Sequence, residues 1–179
     1  MPHAPMTPTQ PYHGMYPVEE MQPPVSIHDD MENSPYENAN GRLGLPEYSE
    51  EDKIKHMISN YYGLITEIDN WIGEVLATLD KNNLLENTLV IFVSDHGEML
   101  GAHGLREKNV FYEESSHIPL IIRLPEEIKE GKIVDGYIST VDLFSTILDY
   151  LDIKKNYPSD GTSLRELIEG RETDHGDYV

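Results

Sequence analysis

The chain has 179 residues, enough for one domain of ordinary size, and 13 Lys and Arg against 33 Asp and Glu give a formal net charge of −20. This balance excludes a general nucleic-acid binder and a protein that docks on an anionic membrane, because both need clustered basic side chains. The chain has no cysteine, which excludes disulfides, thiolate metal ligands and a cysteine nucleophile within it. No apolar run approaches the about 20 residues that span a bilayer.

Residues 1–48 are predicted to form an extended, proline-rich arm. They contain most of the 12 prolines, a single basic residue (Arg42) and no sustained period of 2 or 3.6. A structureless stretch of this length is uncommon in a compact domain, so the arm is either disordered or wrapped around a body. Its tyrosines and methionines favour wrapping. Side chains suited to gripping that body are Tyr12, Met15, Tyr16, Met21 and Tyr36. The arm also lacks the basic start and apolar core of a signal peptide, and the localisation is left open.

A long amphipathic helix is predicted next. Ser49 is a suitable N-cap, and the acidic residues after it suit the first turn of a helix. Apolar residues then recur at alternating steps of four and three, and Asn82 and Asn83 are predicted to end the helix. The recurring residues are Ile54, Ile58, Tyr61, Ile65, Ile68, Ile72, Val75 and Leu79. This pattern predicts a core-facing helix without chemistry of its own.

Short apolar runs predict strands at residues 88–93 and 118–124, and a weaker one at 133–138. The first run does not alternate, which is typical of a strand of a parallel sheet buried on both faces. A second helix is predicted over 141–151, with Thr140 as its cap and Asp142 in its first turn. The alternation of strands and helices predicts the α/β class.

The predicted chemistry lies at the end of the first strand. Asp95 and His96 follow it directly, and ligands of open parallel sheets collect at the carboxyl ends of strands. An Asp oxygen beside a His nitrogen suits a divalent cation, although Asp-His-Gly is also a common turn. The glycine-rich loop that follows contains His103, Arg106 and Lys108, which suggests an anion that bridges the metal and the lysine.

Other candidate residues have weaker settings. His3 is held between prolines that stiffen its backbone, yet a surface histidine in a proline-rich arm is the plainer interpretation. Asp29-Asp30 is interpreted as loop and Glu113-Glu114 as a solvated or capping pair. The remaining histidines are predicted to be solvated or packing residues, with His117 a remote candidate for supporting the site: His13, His28, His56, His117 and His175.

These motifs together resemble the sulfatase family of the alkaline phosphatase superfamily. Residues 94–108 (SDHGEMLGAHGLREK), 111–115 (FYEES) and 118–122 (IPLII) are the most specific block. Further similar segments are 2–5 (PHAP), 11–17 (PYHGMYP), 61–73 (YYGLITEIDNWIG), 139–148 (STVDLFSTIL) and 160–164 (DGTSL). The resemblance implies part of an alkaline-phosphatase-like sandwich, with a mostly parallel sheet flanked by helices.

The resemblance also implies roles for four residues. Asp95 and His96 match the second pair of ligands for the family's single divalent cation, usually Ca²⁺ and sometimes Mg²⁺ or Mn²⁺. Lys108 matches the lysine that holds a sulfate oxygen. His3 matches the histidine that contacts the sulfate and its leaving oxygen. The Asp-His pair is similar to the iduronate-sulfatase-like and phosphonate-monoester-hydrolase-like branches.

Other parts of the family's active site have no match in this sequence. The family's nucleophile is a formylglycine made from Cys or Ser in a C/S-x-P-x-R motif, and neither that motif nor the first pair of metal-binding aspartates is found here. We therefore expect a C-terminal-side fragment in three parts: the arm over 1–48, an α/β portion of the catalytic domain over 49–152, and the truncated start of a C-terminal region over 153–179.

The predicted function is that of a portion of a metal-dependent sulfuric ester hydrolase. This portion supplies half of the metal site and the sulfate-binding His3 and Lys108, and it is expected to be inactive alone. The expected partners are a sulfate ester, for example of a carbohydrate, and an N-terminal half of the same fold, with no nucleic acid and no membrane. One alternative is a fragment of a phosphodiesterase or phosphonate monoester hydrolase of the same superfamily. Another is a non-catalytic remnant that binds a cation or a partner.

Overall fold

The computed structural model describes residues 2–36 and 51–171 and confirms the predicted α/β class. Strands β1 and β2 pair in a two-stranded sheet. In chain order, the elements are a 3-10 helix Val18–Glu20, helix α1 Glu51–Lys81, a 3-10 helix Leu85–Asn87, strand β1 Val90–Val93, a 3-10 helix Ala102–Gly104, helix α2 Glu113–Ser116, strand β2 Leu120–Arg123, helix α3 Asp142–Tyr150 and helix α4 Arg165–Glu169. Within these described ranges, no helix is both long enough and apolar enough to cross a membrane.

The chain forms two compact units. Among the described residues, the first unit contains those up to 82 together with 93–120, and the second contains 83–92 together with 121–171. Each unit combines segments that are distant from one another in the chain. The division expected from the sequence stays a prediction.

The first unit is built on the arm packed against α1. Met21 and Ile27 of the arm are buried with Ile54 and Ile58 of the helix, so the arm contributes half of this apolar cluster. The arm is thus held by contact with α1, as expected of a segment without its own regular structure. Among its other proposed gripping residues, Met15 stays 45% exposed.

Polar contacts fix the arm at two further places. The Glu67 carboxylate accepts hydrogen bonds from the Thr9 backbone N at 3.0 Å and from Thr9 Oγ1 at 2.7 Å. A Cβ on Gly63 would lie 2.8 Å from the carbonyl oxygen of Tyr12, so the arm approaches the helix where a side chain is missing. Glycine at this position therefore permits the arm to lie directly on the helix backbone.

The predicted core face of α1 is only partly covered. Its buried residues are confined to the first half, from Ile54 to Gly63, whereas Ile65 is 44% exposed and Val75 is 61% exposed. The hydrogen bonds between Thr9 and Glu67 hold the arm to the first part of α1, which explains the change along the helix. The end of α1 is where Asn82 and Asn83 predict it, with Asn83 in the left-handed conformation at φ 55°.

Two predictions about the second unit are wrong. The described residues 133–138 form no strand, and Ile133 and Tyr137 are about nine-tenths exposed, so no neighbouring strand covers them. Thr140 does not cap α3. The buried Asp142 carboxylate instead accepts hydrogen bonds from the backbone N of Ser139 and of Thr162, each at 2.9 Å, and so fixes the start of the helix.

The strands are also less covered than their apolar sequences predict. Phe92 and Val93 are each 38% exposed and Ile121 is 62% exposed. A sheet of two strands offers few neighbours to bury such side chains, and sheets that stand alone have three or more strands.

Candidate active site

Asp95 and His96 form a pair in the turn after β1. The Asp95 carboxylate accepts a hydrogen bond from the His96 backbone N at 3.0 Å, and its second oxygen lies 3.6 Å from His96 Nε2. His96 Nδ1 donates to the Gly97 carbonyl oxygen at 2.8 Å, because a carbonyl can only accept. In the neutral ring, this leaves the lone pair of Nε2 for a ligand. An oxygen and a nitrogen donor thus lie close enough for one cation to bind both.

Gly97 fixes this turn against α2. A Cβ at this residue would lie 2.0 Å from the carbonyl oxygen of Glu114, and the Gly97 N donates to the Ser115 carbonyl oxygen at 2.7 Å. No side chain fits in that space. The residue after the Asp-His pair therefore has to be glycine for α2 to pack here.

Lys108 is held by the loop that precedes it and by α2. The Met99 N donates to the Glu107 carbonyl oxygen at 3.0 Å, and the Glu98 carboxylate accepts from the Glu107 N at 2.6 Å, so the loop closes on itself. The buried Ser115 then donates from Oγ to the Lys108 carbonyl oxygen at 2.7 Å. Both ends of the loop are thereby fixed, and Lys108 stands beside the Asp-His turn.

His3 from the arm completes the arrangement. Its Nδ1 is 2.8 Å from the Ala4 carbonyl oxygen, so Nδ1 carries the proton and Nε2 is the acceptor. Lys108 Nζ donates to this Nε2 at 2.6 Å, and the His3 and His96 rings have centroids 6.1 Å apart. The structure therefore brings together His3, His96 and Lys108, with Asp95 adjoining through His96.

A cleft of about 540 Å³ is lined by the immediate neighbours of His3 and Lys108. Its walls come from the arm, the first half of α1 and the loop: Ala4, Pro5, Met6, His56, Met57, Asn60, Glu98, Arg106 and Glu107. This volume lies within the range of small-molecule sites. Ligand-sized space is thus present beside the segments that carry the two residues.

As a metal site, the arrangement is partial. Over residues 2–36 and 51–171, no group of three or more His, Asp or Glu side chains is placed to hold a metal ion. Asp95 and His96 are a mixed oxygen and nitrogen donor pair with the Asp95 side chain 59% exposed. The pair fits a divalent cation as two of its ligands, and further ligands would have to come from other residues or water.

Several of the remaining histidines and acids pair with one another. His28 lies 3.2 Å from the Glu51 carboxylate, and His117 lies 3.1 Å from that of Glu113, both pairs on the surface. Asp29-Asp30 is in a loop as predicted, but Asp29 also binds His103, which the sequence did not indicate. His175 and Ser49 lie outside the described residues.

The sequence did not indicate Ser115, because no local pattern marks a serine that supports a loop seven residues earlier.

Solved structures share this fold and its elements. The phosphonate monoester hydrolase SpPMH from Silicibacter pomeroyi matches with a TM-score of 0.82 at 31% identity, covering 94% of this chain and 36% of that one. The phosphonate monoester hydrolase of Agrobacterium radiobacter matches with the same TM-score at 27% identity, covering 94% and 36%. The fold is therefore that of the alkaline-phosphatase-like hydrolases, present here in part.

The family profile described as Sulfatase matches residues 1–153, and the chain belongs to the sulfatase family. A multifunctional alkaline phosphatase superfamily protein, PehA, from Trinickia caryophylli is 35% identical over 97% of this chain and 37% of its own length. An arylsulfatase from Clostridium perfringens is 34% identical over 99% of this chain and 38% of its own length. The chain thus spans little more than a third of these relatives.

Proposed function

We propose that this chain supplies the anion-holding part of the active site of a metal-dependent sulfuric ester hydrolase. One observation carries the proposal: Lys108 Nζ lies 2.6 Å from His3 Nε2, beside His96. A sulfate ester has a single negative charge, which a lysine ammonium neutralises as a point charge. His3 offers Nε2 next to that charge, and once this nitrogen has taken up a proton it can donate that proton to the leaving oxygen.

Asp95 and His96 would hold the divalent cation, for which we propose Ca²⁺, with Mg²⁺ or Mn²⁺ as alternatives. A bound cation would supply positive charge that stabilises the charge developing on the ester. His96 presents Nε2 because its Nδ1 is bonded to Gly97, and Asp95 presents a carboxylate oxygen 3.6 Å away. The net charge of −20 is compatible with binding of the cation, because acidic side chains attract it. Lys108 supplies a local positive charge for the anion.

The nucleophile is not found in this sequence. The chain has no cysteine, and none of its serines stands in an S-x-P-x-R motif, so no formylglycine of the family's kind can arise from it. We propose that an N-terminal portion of the same fold supplies the formylglycine nucleophile and the other metal ligands. This chain alone is then expected to bind the anion and the cation without turnover, because covalent catalysis needs the nucleophile.

The anion-binding part is tested on this chain by NMR titration with inorganic sulfate. The expected result is a saturable shift of the His3 ring resonances in the wild-type chain, with at least a fivefold loss of affinity in Lys108→Ala. The matched control is Lys81→Ala, at the exposed end of α1, which should leave the affinity unchanged. Equal affinity in Lys108→Ala and wild type would overturn the assignment of Lys108.

The cation-binding part is tested by calorimetric titration with Ca²⁺. We expect heat of binding in the wild-type chain that is absent in Asp95→Ala and retained in Asp30→Ala. In parallel, a chromogenic aryl sulfate is incubated with the pure chain and Ca²⁺. Turnover that depends on the metal would overturn the prediction that the chain lacks a nucleophile.

A second candidate is hydrolysis of phosphonate monoesters or phosphodiesters. One observation favours it: the TM-score of 0.82, at 31% identity, to a phosphonate monoester hydrolase. These esters, like sulfate esters, carry one negative charge, so Lys108 would hold them equally well. Relative rates of the full-length parent on aryl sulfate, aryl phosphonate and diester substrates discriminate between the candidates. Absence of both anion and cation binding would instead indicate a non-catalytic remnant.

A further inference from the structure

His103 connects the Lys108 loop to the arm. It occupies the middle of the glycine-rich loop in a left-handed conformation, with φ 53°. Its ring Nδ1 is bonded to the Asp29 carboxylate, which lies 74 positions earlier, and its backbone N donates to Ser26 Oγ at 3.2 Å. Both contacts join the tip of this loop to one short segment of the arm.

The same ring also contacts the segment that leads into α2. His103 stacks on Tyr112, with ring centroids 4.2 Å apart and planes at 11°. The Tyr112 carbonyl oxygen accepts a hydrogen bond from the Ser115 N, and Ser115 in turn donates to the Lys108 carbonyl oxygen. A continuous series of contacts therefore runs from Asp29 through His103 and Tyr112 to Lys108.

The Asp29 carboxylate is suited to hold this ring. One oxygen bonds to His103, and the other accepts from the Met31 backbone N at 2.9 Å. These hydrogen bonds, that of His103 first, hold the pKa of Asp29 below its ordinary value, so it is a carboxylate at neutral pH. The side chains are only 34% exposed for Asp29 and 21% for His103. The His103 ring thus both stacks on Tyr112 and directs a ring N–H at Asp29.

We infer that Asp29 and His103 are a positioning pair, which holds the glycine-rich loop against the arm and thereby keeps Lys108 in contact with His3. The inference rests on the proposed function of Lys108 and His3 as the anion-holding residues. Neither Asp29 nor His103 is expected to contact the substrate. The arm then has two roles, because it supplies His3 and also fixes the loop that carries Lys108.

The test compares Asp29→Ala, Asp29→Asn and Asp30→Ala in the full chain. Asparagine keeps an oxygen acceptor for His103 and is nearly the same size, so it is the conservative variant. Asp30 is the matched control, since its carboxylate accepts a backbone hydrogen bond from Glu32 at 2.9 Å just as Asp29 accepts one from Met31. The ¹⁵N signal of His3 Nε2 and amide hydrogen exchange over residues 99–108 are measured, with thermal unfolding recorded for each variant.

In Asp29→Ala, we expect the His3 Nε2 signal to move toward that of a free imidazole and exchange over 99–108 to rise about tenfold. Asp29→Asn should keep the His3 Nε2 signal and the exchange rate over 99–108 close to the wild-type values, and Asp30→Ala should resemble the wild type. A lower unfolding temperature with an unchanged His3 signal would overturn the inference and leave the pair a purely structural contact. Neither readout needs turnover or bound sulfate, so a failed sulfatase assignment is recognised separately, by the sulfate titration.

Discussion

The Cβ that an alanine would place on Gly97 lies 2.0 Å from the carbonyl oxygen of Glu114, a separation that no folded structure accommodates. Gly97→Ala is therefore expected to push α2 away from the turn that carries Asp95 and His96. Overpacking of this kind costs about 1–3 kcal/mol, so the free energy of unfolding measured by urea denaturation should fall by about that amount or more. Binding of Ca²⁺ should weaken in the same variant.

Gly73→Ala is the control for this substitution. Gly73 lies within α1, and an added Cβ would meet no heavy atom within 4 Å. Alanine in an open helix position should stabilise the chain by about 0.5–1 kcal/mol relative to glycine. Equal effects of the two substitutions would contradict the steric explanation for Gly97.

Ser115→Ala tests how Lys108 is supported. Ser115 is 4% exposed and donates from Oγ to the Lys108 carbonyl oxygen at 2.7 Å, so alanine leaves that oxygen without its donor. We expect a loss of about 1–3 kcal/mol in unfolding free energy and a parallel loss of sulfate affinity. The neighbouring exposed Ser116 donates to the Tyr112 carbonyl oxygen, and Ser116→Ala should change stability by less than about 0.5 kcal/mol. An unchanged sulfate affinity in Ser115→Ala would contradict this account.

The arm should loosen from α1 in acid. Hydrogen bonds from the Thr9 side chain and backbone lower the pKa of Glu67 below its ordinary value of 4.5. A carboxyl with a lowered pKa in the folded state contributes stability that is present above its unfolded pKa and lost as the pH falls through the folded value. Unfolding free energy should therefore fall less steeply below pH 4.5 in Glu67→Gln than in the wild type. Asp69→Asn, on an exposed residue of the same helix, should keep the wild-type slope.

Tyr150 should make the stability of the chain fall at alkaline pH. Burial, followed by the nearby Glu169 charge, raises the pKa of Tyr150 from 10 to about 12. The stability tied to its neutral form is complete below pH 10 and is lost as the pH rises through about 12. Tyr150→Phe should remove this part of the alkaline decline, and phenolate absorbance should show one fewer late-titrating tyrosine.

At neutral pH, Tyr150→Phe should leave the stability unchanged or raise it by up to about 1 kcal/mol. The Tyr150 hydroxyl is buried and has no hydrogen-bond partner in the part of the chain that the structure describes. Its removal therefore breaks no contact, and the Arg165 guanidinium, 4.9 Å from the ring centroid, can stay over the phenyl ring. A clear loss of stability would indicate an unrecognised partner for the hydroxyl.

The sequence predicted those features that follow from local patterns. Steps of four and three predicted α1, and the apolar run over 88–93 predicted the strand that precedes Asp95. The contact between His3 and Lys108 was expected only through the resemblance to sulfatases, because no local pattern relates residues 105 positions apart. The prediction of a strand over 133–138 was wrong because a strand needs a neighbouring strand to pair with. The prediction that Thr140 caps α3 was wrong because Asp142 bonds there to Thr162, a residue distant in the sequence.

Three contacts that join the arm to the site close large loops of chain: His3 with Lys108, Asp29 with His103, and Ser34 with Tyr112, at separations of 105, 74 and 78 positions. Such contacts form late in folding, because the chain loses the entropy of loop closure before the contact contributes favourable energy. Helix α1 instead relies on hydrogen bonds between near neighbours in the chain. Opening of the site should therefore precede melting of the helix. A population that is helical by far-ultraviolet circular dichroism can thus still lack a site able to hold an anion.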